Sequence, residues 1–251
     1  MALQYIDRGD YNVVVVGAAS GIGLQTARFL AGQGGRVAAL DRNKDGVETA
    51  TKELGKDAVA RAVDVTDWNA VRSTIDGIAQ AFGKIDALVN CAGITGKTNV
   101  PTHEVEIEDF DAVYRINLKG AFLLSKAVIP HMLARKYGRV LHVASIAGKE
   151  GNAGMAAYSA TKSGLIGLVK TLGKDYAETV ISGNGRSPAV IRTPMVDALP
   201  QATIDYMTAK NPRRRCGELQ EAAELIGWIV SPACSFATGF TFELTGGRAV
   251  Y

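Results

Sequence analysis

The chain is poor in the residues from which metal centres and disulfide frameworks are built: its 251 residues include three cysteines and three histidines. Cys91, Cys216 and Cys234 are odd in number, far apart and never in a C-x-x-C pair, which argues against a cross-linked scaffold or a thiolate zinc site. His103, His131 and His142 lack metal-ligand spacing, so no metal is expected. No apolar run approaches the ~18 residues of a membrane span. The first ten residues, with Asp7, Arg8 and Asp10, lack the apolar stretch of a secretory signal. A cytoplasmic protein with no membrane partner is the expectation. An excess of one charge is also missing: 28 Lys+Arg stand against 25 Asp+Glu, a net charge of +3, too little for the electrostatic footprint of a nucleic-acid binder.

What is present is an ordinary apolar content of 47% and 28 glycines, in a length that suits one α/β domain over residues 1–251. Short apolar runs of strand character fall at 13–16, 36–40, 58–63, 87–89, 139–144 and 240–244. Between them lie helical patterns at 22–33, 44–54, 68–82, 107–135, 156–178, 195–209 and 219–230, and Gly55 and Gly83 stand just past two of their ends. A seventh strand at 181–187 is poor, because Gly183, Gly185 and Arg186 interrupt what should be a nearly continuous apolar run. Local softness is expected there. No repeat or low-complexity linker breaks the alternation. It predicts a doubly wound parallel sheet of seven strands, with helices on both faces and a ligand crevice at the strands' carboxyl ends.

The first strand runs directly into Gly17-Ala18-Ala19-Ser20-Gly21-Ile22-Gly23, a G-x-x-x-G-x-G loop that opens a helix. Glycines there let the backbone turn sharply and approach a pyrophosphate, while a helix N-terminus offers unpaired N–H donors. Asp41 ends the second strand 18 residues after Gly23, where a carboxylate accepts the hydroxyls of an adenosine ribose and repels a 2′-phosphate. With Ser20 rather than a base before Gly21, NAD is the favoured cofactor; the neighbouring Arg42 keeps NADP in play.

Tyr158 and Lys162 stand four residues apart on one face of the 156–178 helix. A nearby ammonium favours phenolate over phenol, which suits a tyrosine that exchanges a proton with an alcohol. Ser145 follows the 139–144 strand, at the sheet edge where ligands bind.

With these motifs, together with Asp64-Val65, Asn90-Cys91-Ala92-Gly93 and Asn117, the chain resembles the short-chain dehydrogenase/reductase family from Val13 to about Gly247. The resemblance implies a Rossmann-type domain in which Tyr158 is the general acid/base and Lys162 lowers its pKa and holds the nicotinamide ribose. It implies that Ser145 orients the substrate oxygen and that Asn117 supports a water-linked proton path through Lys162. Asp64 and Val65 would contact adenine, Asn90 and Gly93 would line the cofactor, and Ile191 and Thr193 would meet the carboxamide. Val16 departs from the family's usual threonine, and Pro188-Ala189 from its Pro-Gly.

By analogy with the family, residues 146–157 and 195–215 cover the substrate. Lys149, Glu150 and Asn152 suit the hydroxyls of a polar substrate, with Met155 as an apolar wall, and Arg248 and Tyr251 could bring a cation and a phenol to it. The stretches around 149–158 and 240–251 resemble dehydrogenases of sugars and 2-keto-3-deoxy sugar acids. The expected reaction is therefore NAD-linked interconversion of a secondary alcohol and a ketone on such a substrate. The alternatives are a 3-oxoacyl-[acyl-carrier-protein] reductase, which normally prefers NADPH, and a catalytically silent dinucleotide-binding sensor or scaffold. The basic run Arg213-Arg214-Arg215 reads as a solvated loop. The resemblance also implies a homotetramer, packed partly through the 107–135 and 156–178 helices, where Gly120, Gly164 and Gly167 permit close approach.

Overall fold

A computed structural model describes Ile6 and residues 10–251; residues 1–5 and 7–9, including Asp7 and Arg8, lie outside the described residues. Strand β1 (Asn12–Val16) is NVVVV with all five residues buried, the unalternating β-branched run of a strand covered on both faces. After it come α1 (Gly21–Gly32), β2 (Arg36–Asp41), α2 (Lys44–Thr51), β3 (Val59–Ala62), α3 (Trp68–Phe82) and β4 (Ala87–Asn90). Asp67 caps α3 by accepting the N–H groups of Asn69 and Ala70, and Gly83 ends that helix in the left-handed region at φ +80°. The second half runs α4 (Ile107–Tyr114), α5 (Gly120–Arg135), β5 (Gly138–Val143), α6 (Ala147–Glu150), α7 (Ala156–Asp175), β6 (Ile181–Pro188), α8 (Pro194–Asp197), α9 (Gln201–Ala209), α10 (Leu219–Ile229) and β7 (Thr241–Leu244).

The seven strands pair in the order β3-β2-β1-β4-β5-β6-β7, all parallel. Chain direction across the sheet reverses between β1 and β4, and the two connections leave a crevice there beyond the strands' carboxyl ends. Val14, Leu40, Leu88 and Val140 face Ile75 and Ile78 of α3 and Leu124 of α5. On the opposite face Val13, Val15, Val89 and Leu141 pack against Leu30 of α1 and Ile226 of α10. Each such buried aliphatic contributes about 1.5–3 kcal/mol, so the two-sided core fixes the strand ends that carry the site.

Three elements differ from the sequence expectation. The helix expected over 107–135 is interrupted by a π-helical turn at Arg115–Lys119 that separates α4 from α5. The helix expected over 195–209 is two helices, because Pro200 has no N–H to continue a ladder and instead stands as the N-cap of α9. The poor strand is the third, and in extent only: β6 lies where it is expected, spans eight residues, one more than expected, and every one is buried. Its glycines sit where neighbours come close. A Cβ on Gly183 would lie 2.8 Å from Leu172 Cβ, and one on Gly185 would lie 2.8 Å from Thr241 Oγ1.

Candidate active site

The loop after β1 is pinned from below: the N–H groups of Gly17 and Ala18 both donate to Leu40 O, at 2.8 and 3.0 Å. Gly17 adopts φ +79°, and an added Cβ would stand 2.9 Å from Ala92 N. At Gly23 an added Cβ would lie 2.1 Å from Gly17 O, so the first turn of α1 rests directly on the loop. Ser20, the N-cap residue of α1, uses its side chain for no capping bond. The hydroxyl and the first-turn amides are thereby left to the crevice.

That crevice is a cavity of about 510 Å³. Gly17, Ser20, Gly21, Ile22 and Gly23 form its floor, Asp41 and Arg42 one wall, and Asp64 and Val65 another. Ala92, Gly93 and Thr193 line it as well. Asp41 is held in place by the N–H groups of Ala19 and Asn43, which donate to its two carboxylate oxygens at 3.1 and 2.9 Å. Asp64 is held similarly by the N–H and hydroxyl of Thr66, each at 2.8 Å. A glycine cradle at a helix N-terminus, with a fixed carboxylate beyond it, fits a dinucleotide: amides for phosphate, carboxylate for ribose hydroxyls.

Gly93 joins this cavity to the reacting groups. A Cβ there would lie 3.1 Å from Asn117 Oδ1 and 3.4 Å from Lys162 Nζ. Asn117 is carried by the π turn, a distortion frequent at functional sites, and is fixed on every side. Its Oδ1 accepts from Ile94 N at 2.8 Å, and its Nδ2 donates to Ile94 O at 2.9 Å and to Thr161 Oγ1 at 3.3 Å.

Lys162 and Tyr158 share a face of α7, with the ammonium 5.6 Å from the ring centroid. Lys162 Nζ donates to Val143 O at 2.6 Å. Burial pushes this lysine down to about 8. Burial also raises the Tyr158 phenol, and a hydrogen bond with Ser145 pulls it part of the way back. Desolvation is thus the larger influence on Tyr158 in this geometry, and the lowering comes from Ser145 rather than from Lys162. Ser145, almost fully buried beyond the end of β5, accepts from Ala147 N at 3.2 Å. Ser145, Tyr158, Lys162 and Asn117 thus come together behind Gly93, next to the cavity, and none of the four is among the residues that line it.

Some anticipated contacts lie elsewhere. Asn90 turns away from the cavity lining: its Nδ2 meets His142 Nδ1 at 3.2 Å and its Oδ1 accepts from Ala92 N at 3.1 Å. His142 in turn meets Ser125 Oγ at 2.9 Å, and burial pushes it down to about 3. This buried polar chain escaped the sequence reading because its members are far apart in sequence. Ile191, two residues before Thr193, is buried and bridges to Gly217. Lys149 pairs with Glu243 at 2.5 Å and donates to the carbonyl of Tyr251. Arg248 pairs with Glu150 at 2.6 Å and donates to Asn152 Oδ1 at 3.4 Å. Met155 Sδ faces Asn152 Nδ2 at 3.9 Å. The cations proposed for substrate thus carry carboxylates of the chain itself. Cys91, Ile94, Ile116 and Pro194 line the cavity without having been singled out as contacts. The apolar ones carry no chemical signal that separates them from core.

Residues 11–203 match the short chain dehydrogenase family. A 2-dehydro-3-deoxy-L-rhamnonate dehydrogenase (NAD(+)) of Sphingomonas sp. (strain SKA58) is 42% identical over 238 residues, 95% of each chain. A 3-oxoacyl-[acyl-carrier-protein] reductase of Thermotoga maritima is 34% identical, covering 94% of this chain and 97% of its own. The crystal structure of gox2181 superposes with a TM-score of 0.93 at 27% identity, covering 99% and 98% of the two chains. The extent of these matches agrees with a glycine cradle that leads, through Gly93, to a tyrosine and lysine on one helix face, and the chain belongs to the short chain dehydrogenase family.

Proposed function

We propose that the protein interconverts a secondary alcohol and a ketone with NAD, and that its substrate is a 2-keto-3-deoxy sugar acid or a related sugar. The observation that carries the reaction class is the junction at Gly93, where the dinucleotide cavity reaches Asn117 and Lys162. Asp41, anchored by two backbone amides in the cavity wall, supports NAD over NADP. The relative at 42% identity, named as an NAD(+) enzyme acting on a 2-dehydro-3-deoxy sugar acid, supports the substrate class.

When bound, the nicotinamide supplies the hydride chemistry. The chain supplies position and a proton. Tyr158 holds that proton on its phenol oxygen and exchanges it with the substrate oxygen, which Ser145 orients through its own hydroxyl. Lys162 is kept facing Tyr158 by Val143 O, and its positive charge favours the phenolate. Asn117, clamped between Ile94 and Thr161, supports the proton path through Lys162.

Lys149, Asn152 and Met155 lie between Ser145 and Tyr158 in the chain, and Arg248 and Tyr251 are tied to them. These five are the proposed substrate contacts, with Arg248 exchanging Glu150 for a substrate carboxylate. The groups for cofactor and for chemistry then belong to one domain spanning residues 1–251.

A second reading, an acyl-carrier-protein reductase using NADPH, is favoured by one observation: Arg42 lines the same cavity beside Asp41. A silent sensor is disfavoured by the convergence of Ser145, Tyr158, Lys162 and Asn117. Turnover of sugar acids, sugars, steroids, simple alcohols and acyl thioesters, followed by NADH absorbance, tests the substrate class. Sugar acids are expected to be turned over with NAD; activity confined to acyl thioesters overturns the proposal.

We also infer a homotetramer working in the cytoplasm. Among the described residues no helix is long and apolar enough to cross a membrane. Ile107, Phe110, Tyr114, Phe122 and Leu133 leave α4 and α5 with an apolar exposed face, which supports subunit packing there. Light scattering that returns a monomer rejects the assembly.

A further inference from the structure

Arg186 is the anomaly of the molecule. It sits in β6 with 0% exposure, and none of its three guanidinium nitrogens has a hydrogen-bond partner among the described residues. An unpaired charge in an apolar interior is strongly disfavoured, and a strand buried on both faces ordinarily holds an aliphatic residue at such a position.

The register of the sheet shows where the side chain goes. Arg186 pairs with Val143 of β5, one position beyond the pair of His142 with Asn90 of β4. Cys91, the next residue after Asn90, therefore falls in one row with Val143 and Arg186. Alternation puts all three on the sheet face covered by α1 and α10. Neighbouring strands lie about 4.8 Å apart, so the Cα atoms of Cys91 and Arg186 are separated by about 10 Å, a gap that an arginine side chain laid across Val143 largely closes.

Cys91 feels the charge. Burial drives its thiol up to about 12, and the positive charges of Arg186 and Lys162 oppose that rise. At that value the thiol stays protonated and offers Arg186 no counter-ion. Cys91 is also part of the wall of the dinucleotide cavity, next to Gly17, whose added Cβ would lie 3.0 Å from Cys91 C. The unpaired guanidinium thus shares a sheet face with Cys91, close enough for the two groups to interact, and Cys91 belongs to the cavity wall.

We propose that Arg186 is a specificity-determining cation for the dinucleotide: it acts through the Cys91 wall on the negatively charged diphosphate, which serves as the counter-ion the fold itself does not provide. The inference rests on the cofactor reading given above. Its physical basis is the low dielectric of the interior, where one charge about 10 Å from another at an effective dielectric of about 20 changes affinity on the order of tenfold. The groove amides supply shape and hydrogen bonds, and Arg186 supplies net charge.

ADP and adenosine separate the two contributions, since they share adenine and ribose and differ in the diphosphate. Calorimetric titration of the whole protein with each probe is expected to show ADP binding about tenfold weaker to Arg186→Met than to the unaltered chain, with adenosine binding unchanged. Arg186→Lys, which keeps the charge, is expected to retain most of the ADP affinity. The Met side chain matches the length and apolar surroundings of the site, so that variant is expected to melt at a higher temperature before ligand is added. Equal ADP affinity in Arg186→Met and the unaltered chain overturns the inference. So does a parallel loss of adenosine binding, which marks a change of shape rather than of charge. Failure of ADP to bind the unaltered chain is a separate result and rejects the cofactor reading instead.

Discussion

Lys162 Nζ donates to the backbone carbonyl of Val143 at 2.6 Å, so the ammonium is held by the end of β5 rather than left to find the phenol of Tyr158 by itself. The strand that carries Ser145 beyond its end therefore also sets the lysine. One displacement of β5 would disturb both partners of the tyrosine.

In the proposed reaction Tyr158 is the group that exchanges the proton with the substrate oxygen. In Tyr158→Phe, kcat is expected to fall by about 10²–10⁴, the usual worth of a positioned general acid or base. NAD affinity measured by fluorescence titration is expected to stay within about twofold, because no cavity-lining residue is altered. A variant that keeps kcat refutes the assignment.

Asp41 is the proposed determinant of the choice between the two dinucleotides. Its carboxylate is fixed by Ala19 N and Asn43 N, with Arg42 beside it in the wall. Asp41→Asn removes the charge that repels a 2′-phosphate and keeps an acceptor for the amides. The ratio of kcat/KM for NADP to that for NAD is expected to rise by about tenfold, the order of one unscreened charge. An unchanged ratio shows that discrimination lies elsewhere.

Acid stability has a recognisable source in His142. Its folded value is depressed to about 3 by burial, while an exposed histidine titrates near 6.5. Between those values the unfolded chain binds a proton that the folded chain refuses. Stability from this group is therefore full above about pH 6.5 and declines as pH falls toward 3, by at most about 1.4 kcal/mol per pH unit. The melting temperature is expected to drop on acidification through this window, and His142→Gln to flatten the drop. An equal slope in that variant removes His142 from the account.

For β6 the measurement is amide exchange. Its residues are all buried, yet Gly183 and Gly185 contribute no side-chain packing, and Arg186 brings an uncompensated charge. The amides of β6 are expected to exchange faster than those of β1 in mass spectrometry of deuterated protein. Equal protection of the two strands counters the expectation.

Much of the site is readable along the chain because the signals are local. The glycine loop, Asp41 at the end of β2, and Tyr158 with Lys162 one helical turn apart all depend on spacing within a single unit. Interactions between distant segments left no such trace. Asn90, His142 and Ser125 form a buried chain from three elements, and Arg248 meets Glu150 from far along the sequence. The full length and burial of β6 are not legible for a related reason: the glycines that weaken a strand by composition are tolerated where α7 and β7 leave no room for a side chain. Arg42, adjacent to Asp41 in sequence, lines the same cavity.

The π turn at Arg115–Lys119 makes the number of residues before Asn117 matter as much as the identity of that asparagine. An α-helix advances about 100° per residue, so shortening the turn by one residue would restore a regular helix and swing the amide away from Ile94 and Thr161. Such a deletion would smooth the helix and disconnect its asparagine in the same stroke. In the proposed mechanism, a wider helical loop is then itself part of the machinery.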